Sequence, residues 1–329
     1  MDSVTQIALG ATVAAVCVPK EHRRKAAIMG AALGTLPDLD VLIDYGNAVS
    51  NFTLHRGFSH SLFVLIPFAA LLWTIARQFS SSVQARPKAW FWAILLPLAT
   101  HPLLDAHTAY GTQLFWPLDV TPTMWSTLFI IDPLYTLPLF IATLIVWIAP
   151  KAKLTSGFLK WGLILSSVYL GWSWVAKYQV SLQVTQSLNA DHKSLKVFTT
   201  PTPFNTIFWR IVVVDDDKYL EGFYHFLHPG EIQFTRHSIN QPLFDEGNAI
   251  NSVKQLQWFA DGFNRAEVID GALVISDLRM GFENNYVFRH KVAEQDSGGW
   301  LAVTSEQLPR QFNADDLGDF WQMFSQPNK

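Results

Sequence analysis

Four short stretches carry the residue types that chemistry uses. They are Asp2-Ser3-Val4-Thr5-Gln6, Pro37-Asp38-Leu39-Asp40, His55-Arg56-Gly57-Phe58-Ser59-His60-Ser61 and His101-Pro102-Leu103-Leu104-Asp105-Ala106-His107. Together they hold four histidines and four carboxylates. Imidazole and carboxylate in combination suit zinc, manganese or iron. His101 and Asp105 are four residues apart and face one site if they lie on a helix. His55 and His60 are five apart with a glycine between them, and need a turn to converge. Asp38 and Asp40 follow a proline at a spacing of two, which suits bridging two ions from a loop or a helix start. The expected ligands are therefore Asp38, Asp40, His55, His60, His101 and Asp105, holding one to three divalent ions, zinc first and manganese second. Metals about 3.5–4 Å apart clamp a phosphoryl group and activate water. The fork of Arg56 suits the anionic group of such a substrate. Arg56, Asp38 and His60 are the residues expected to carry catalysis, with Asp2, Gln6, Ser61, His107 and Asp132 supporting them. The same set also suits an ion or proton pathway, so a transporter and a non-catalytic membrane scaffold are the competing readings.

The surrounding sequence says what must position these residues. The chain has 329 residues, 50% hydrophobic and 16% charged, with a mean hydropathy of +0.17. Soluble domains are typically about 25% charged. Residues 1–176 hold only 19 charges and the shorter remainder holds 32. Apolar stretches recur at Ser3–Val18, Ala26–Leu36, Ser61–Ala76, Ala89–Thr100, Pro133–Ala149 and Trp161–Ala176. A membrane span takes about 20 apolar residues. Four of these stretches reach that length with their flanks, and the first two read as a tight helical hairpin meeting at Gly30-Ala31-Ala32-Leu33-Gly34. The N-terminus does not read as a signal peptide, since its basic cluster follows the apolar run.

Loops alternate in sign. Lys20–Lys25, Arg77–Lys88 and Lys151–Lys160 are basic, whereas the segments between them carry Asp38, Asp40, Asp44, Asp105, Asp119 and Asp132. Basic loops stay in the cytoplasm, which puts the His/Asp stretches and everything after residue 180 on the outer side. The net charge of −3 gives no reason to expect nucleic acid, and the single cysteine, Cys17, forms no internal disulfide.

The blocks Met1–Gln6, Leu36–Asp40, His55–Ser61 and His101–Asp105, with Tyr110–Pro117 and Phe129–Pro133 after them, resemble the membrane-bound metal-dependent hydrolase family. Its members are also described as LexA-regulated, inner-membrane-associated hydrolases. The resemblance covers residues 1–180. It implies a multi-pass bacterial inner-membrane protein with a metal-dependent hydrolase activity; the loop charges put the active site on the periplasmic side. The family's helical core is distantly similar to zinc-dependent phospholipase C, whose His-x-x-x-Asp pair His101 and Asp105 match. Many members read Asp-x-x-Thr-His at the start, and this chain has Gln6 at the histidine position.

Beyond residue 180 the pattern changes to period two. Phe208–Val214, Tyr219–Leu227, Ile232–Ile239, Ala272–Asp277, Tyr286–Lys291 and Trp300–Ser305 read as strands, and Val253–Phe263 as a helix. The sequence thus predicts an all-α polytopic membrane helical bundle over 1–180. A soluble periplasmic α+β domain with an antiparallel sheet follows over 181–329, read as a lid or recognition domain. A site at the outer membrane surface would favour a lipid or lipid-linked phosphoester.

Overall fold

A computed structural model describes residues 1–188, 195–283 and 285–310. The helices are α1 (Ser3–Cys17), α2 (Arg23–Thr35), α3 (Ala48–Leu54), α4 (Leu62–Phe79), α5 (Ser81–Ala85), α6 (Pro87–Asp105), α7 (Pro133–Ile148) and α8 (Lys153–Ser187), with α9 (Gln241–Glu246) and α10 (Asn251–Phe259) among the later strands. Short 3-10 turns cover Pro37–Leu42 and Phe58–His60. The chain divides into two compact units. The first holds Met1–Leu42, Arg56–Trp174 and Pro203–Asn205. The second holds Ile43–His55, Val175–Thr202 and the chain from Thr206 onward.

In the first unit α1 is the central helix and packs on α2, α6 and α7. Asp2 caps it, its carboxylate accepting from Thr5 N at 3.1 Å. The α1–α2 contact is made by backbone. A Cβ on Gly10 would lie 2.3 Å from the Gly30 carbonyl oxygen, and one on Gly34 would lie 2.8 Å from that of Gln6. Only residues without a side chain permit so close an approach. The apolar residues of α6, among them Trp90, Ala93, Ile94 and Leu98, are buried inside the unit.

The expected polytopic bundle is overturned at this point. Among the described residues only α4, Leu62–Phe79, is long and apolar enough to cross a membrane. The apolar α1 and α7 have 15 and 16 residues, or about 23 Å at 1.5 Å per residue, short of a hydrocarbon core of about 30 Å. The apolar run of α6 serves the interior of the unit, and α8 interrupts its apolar residues with Lys160, Lys177 and several hydroxyls. Apolar composition marked helices that pack on one another as readily as helices that face lipid.

The second unit contains two four-stranded antiparallel meanders rather than one sheet. β1 (Lys196–Pro201), β2 (Phe208–Asp215), β3 (Lys218–His225) and β4 (Phe234–Ser238) form the first. β5 (Asn264–Ile269), β6 (Ala272–Asp277), β7 (Arg289–Asp296) and β8 (Gly299–Gln307) form the second. Asp216 and Asp217 turn the β2–β3 hairpin, Asp216 at φ 50°. Phe52 of α3 packs on Phe259 and on His290, at ring separations of 4.8 and 5.0 Å.

His290 gives this unit a pH dependence. It is buried, and neither ring nitrogen has a hydrogen-bond partner among the described residues. Burial pushes its pKa down to about 4, with the charge of Asp277 opposing weakly. The unfolded chain takes up a proton near pH 6.5 and the folded chain only near pH 4, so stability is complete above 6.5 and falls as the pH drops through that window. The loss approaches about 3 kcal/mol at 1.36 kcal/mol per pH unit. His290→Phe removes the difference, so its thermal midpoint is expected to change less than that of the wild type between pH 6.5 and 4. Equal pH slopes would contradict this account of His290.

Candidate metal centre

The first unit brings Asp38, His60, His101 and Asp105 together, one potential ligand atom from each lying within 4.8 Å of all the others. Three separate pieces of local structure deliver them. The last turn of α6 carries His101 and Asp105 on one face. The 3-10 turn Pro37–Leu42 carries Asp38. The 3-10 turn Phe58–His60 carries His60, just before α4 begins under its Ser61 cap, whose hydroxyl accepts from Phe63 N at 3.2 Å.

Four acceptor atoms converge. His60 Nε2 lies 3.1 Å from His101 Nε2, 3.4 Å from Asp38 Oδ1 and 3.3 Å from Asp105 Oδ2. His101 Nε2 lies 3.3 Å from Asp38 Oδ1 and 3.6 Å from Asp105 Oδ2. Zinc binds imidazole nitrogen and carboxylate oxygen at about 2.0–2.2 Å, and in a tetrahedron that bond length makes the ligand–ligand edges about 3.3–3.6 Å. The five distances fall in or next to that range.

The outer nitrogens fix the tautomers. His101 Nδ1 lies 2.6 Å from the Gly34 carbonyl oxygen, which can only accept, so Nδ1 carries the proton. His60 Nδ1 lies 2.9 Å from Ser59 Oγ, and that hydroxyl gives its own proton to Asp40 Oδ2 at 2.6 Å. His60 Nδ1 is then also the donor. With both rings neutral, the two Nε2 atoms turn their lone pairs toward each other and toward two carboxylate oxygens, an arrangement that a cation would satisfy. Asp40 thus lies behind the ligands, where it also accepts from Arg56 N at 2.9 Å.

Asp105 is held anionic. Burial pushes its carboxyl up, but the Arg56 guanidinium and the terminal ammonium work against this, and it stays well below its ordinary range. Arg56 Nε lies 3.3 Å from Asp105 Oδ2, NH1 donates to Thr108 Oγ1 at 3.3 Å, and the guanidinium sits 4.9 Å from the Tyr110 ring centre. Its backbone is in the left-handed region at φ 61°, a conformation that costs a non-glycine residue about 1 kcal/mol or more. Gln6 Nε2 donates to Asp105 Oδ1 at 3.0 Å and to the His101 carbonyl at 3.3 Å. The Met1 ammonium also bonds Asp105 Oδ1.

The other residues singled out in the sequence lie elsewhere. His55 ends α3, is half-buried, and belongs to the second unit. Asp2 and Asp132 are helix caps. Asp132 accepts from Leu134 N at 3.1 Å and from the Tyr169 hydroxyl at 2.9 Å. Ser61 donates to the Trp116 carbonyl at 2.6 Å. His107 faces its own helix end, with Nδ1 2.8 Å from the Leu103 carbonyl, and Nε2 accepts from Trp174 Nε1 at 3.2 Å. Sequence reasoning left out Ser59 and the Gly34 carbonyl, which orient the two histidines. Ser59 stands inside a quoted motif beside its histidine, whereas a backbone carbonyl leaves no trace in residue type. Asp132 had a readable signal of its own, because an aspartate before a proline is the signature of a helix cap followed by an N1 proline.

The hydrogen bonds behind the ligands give a measurable expectation. Outer partners of metal-bound histidines typically contribute 10–100-fold to affinity. Ser59→Ala removes the link from His60 to Asp40, and a competitive chelator titration is expected to show zinc affinity lowered by that order. Unchanged affinity would show that Ser59 does not orient His60.

No curated protein and no solved structure matches the chain. Residues 1–180 match the family described as YdjM inner membrane protein. That stretch is more than half of the chain and contains every residue of the four-ligand cluster, so the chain belongs to the YdjM inner membrane protein family.

Proposed function

We propose that this inner membrane protein is a metal-dependent hydrolase acting on a phosphoester, with one divalent ion held by Asp38, His60, His101 and Asp105. The convergence of two imidazole nitrogens and two carboxylate oxygens supports this reading above all else. The donor set of two imidazoles and two carboxylates suits zinc best and manganese next. A bound divalent ion supplies a Lewis acid and brings the pKa of a coordinated water toward neutrality.

The protein's own residues determine what reaches the ion. His60, His101 and Asp105 side chains are fully buried, while that of Asp38 is 24% exposed. Substrate would approach along the Asp38 edge. Asp38 and Asp105 balance a divalent ion, and the Arg56 guanidinium and Met1 ammonium outnumber the Asp40 carboxylate behind them, which favours an anionic ester. Arg56 serves this role through its field, because Asp105, Thr108 and Tyr110 hold the guanidinium in place. The end of α4 carries Arg77, with Arg86 and Lys88 soon after, whereas its start adjoins the aspartate-bearing site. Basic flanks stay cytoplasmic, which supports a periplasmic position for the metal centre.

One observation favours a second reading. Four protein ligands fill a tetrahedron, as in structural zinc sites, whereas catalytic sites keep a position open. The two readings part on turnover. Purified full-length protein with one equivalent of zinc is expected to hydrolyse a chromogenic phosphodiester, and chelation or Asp38→Asn is expected to abolish it. Stoichiometric metal without turnover on either water-soluble or lipid phosphoesters would leave a closed, bracing metal.

A further inference from the structure

We infer that the turn Pro37–Leu42 is a lipid-facing rim of the metal centre, so that the ligand entering at Asp38 is an amphiphile drawn from the bilayer. This rests on the metal reading above and adds the substrate class. A 3-10 turn repeats every three residues, so side chains three apart share a face. Pro37 and Asp40 are buried and form the inward face. Leu39 and Leu42 share another face and are 54% and 79% exposed; Val41 shares the edge with Asp38 and is 70% exposed. Three bare aliphatic side chains on a six-residue turn are costly against water and favourable against acyl chains.

Chain continuity supplies the occupant. The turn is tied to His60 through Asp38, and α4, the candidate span, starts at Leu62, two residues after His60. Phe58 and Phe63, on either side of His60, are 41% and 55% exposed, and Trp116 packs edge-on against Phe58 at 6.2 Å. Tryptophan gathers at the membrane interface, and Trp116 is 40% exposed. The metal centre therefore lies at the end of the span, where headgroups meet acyl chains. A phosphate headgroup reaching Asp38 would leave its chains along Leu39 and Leu42.

Two measurements on the full-length protein test this. In a Cys17→Ala background, bimane is attached at Leu42→Cys, with Val41→Cys as a second position and the exposed Ser297→Cys in the β7–β8 turn as control. The protein is placed in phosphatidylethanolamine/phosphatidylglycerol vesicles. Doxyl lipid is expected to quench the Leu42 and Val41 labels at least twofold more than the control, and aqueous iodide to do the reverse. In cobalt-loaded protein, dioleoyl phosphatidic acid is expected to perturb the visible absorption bands at a concentration at least tenfold below that of glycerol 3-phosphate. Leu39→Ser with Leu42→Ser is expected to erase that advantage. Iodide quenching at both rim positions, or an equal or absent effect of the two phosphates on the cobalt spectrum, would overturn the rim. Metal content is measured on the same samples, so loss of the metal reading shows as absent metal whatever the labels report.

Discussion

His101→Ala is expected to reduce zinc affinity by a factor on the order of 10²–10³. A four-ligand zinc site contributes about 10–16 kcal/mol of binding free energy, or roughly 3–4 kcal/mol per ligand, and each 1.4 kcal/mol is tenfold. His101 shares with His60 the position of a ligand whose Nε2 lies close to all three others. Its Nε2 lies within 3.6 Å of the other three ligand atoms, and its Nδ1 is fixed by Gly34. Alanine is a strong helix former, so the end of α6 is expected to persist while the site loses its centre. The control is His107→Ala, six residues on, which faces Trp174 and is expected to keep metal content unchanged. Equal metal retention in wild type and His101→Ala would place the metal somewhere else or nowhere.

The second large effect lies at some distance from the ligands. Gly30→Leu is expected to destabilise the helical unit by more than about 3 kcal/mol and to release the metal with it. Overpacking a core typically costs 1–3 kcal/mol when side chains can give way. Here a Cβ at position 30 would meet the Gly10 carbonyl oxygen at 2.2 Å and Gly10 C at 2.9 Å, and backbone cannot move aside without parting the helices. Separation of α1 from α2 draws Gly34 from His101 and Gln6 from Asp105, because each helix supplies one of those contacts. Gly157, whose Cβ position is open, is the matched control for a leucine in a helix. The expected readouts are a lower thermal midpoint and lost zinc in Gly30→Leu, with neither in Gly157→Leu. A Gly30→Leu protein that melts and binds zinc like the wild type would contradict the backbone contact.

These expectations show which parts of the molecule could be seen in its sequence. His101 and Asp105 were readable because a helix turns spacing into direction, and four residues mean one face. Asp38 and Asp40 were not distinguishable by residue type. The three-residue repeat of their 3-10 turn sends Asp40 inward beside Pro37 and leaves Asp38 at the edge, and nothing in Pro-Asp-Leu-Asp names that turn in advance. His55 and His60 part at Arg56, where the left-handed backbone separates the end of α3 from the turn carrying His60. The hairpin of small residues at Gly30–Gly34 was legible as packing, but its carbonyl's role at His101 depends on a contact 67 residues away in sequence. The membrane bundle was misjudged for a related reason. An apolar run such as Trp90–Leu98 reports that a surface will be covered, without saying whether lipid or protein covers it. The strands were easier, since β2 is a run of aromatic and β-branched residues that meets β3 across an acidic turn, yet the division into two meanders rests on long-range pairing that local patterns do not encode.

The central claim is that Asp38, His60, His101 and Asp105 share one divalent ion, and X-ray absorption at the zinc edge of the purified, zinc-loaded full-length protein tests it most directly. The account expects one zinc per chain, a first shell of nitrogen and oxygen at about 2.0–2.1 Å, and the outer-shell scattering of two imidazoles, reduced to one in His60→Ala. A zinc content near zero, a sulfur ligand, or a first shell without imidazole would contradict it.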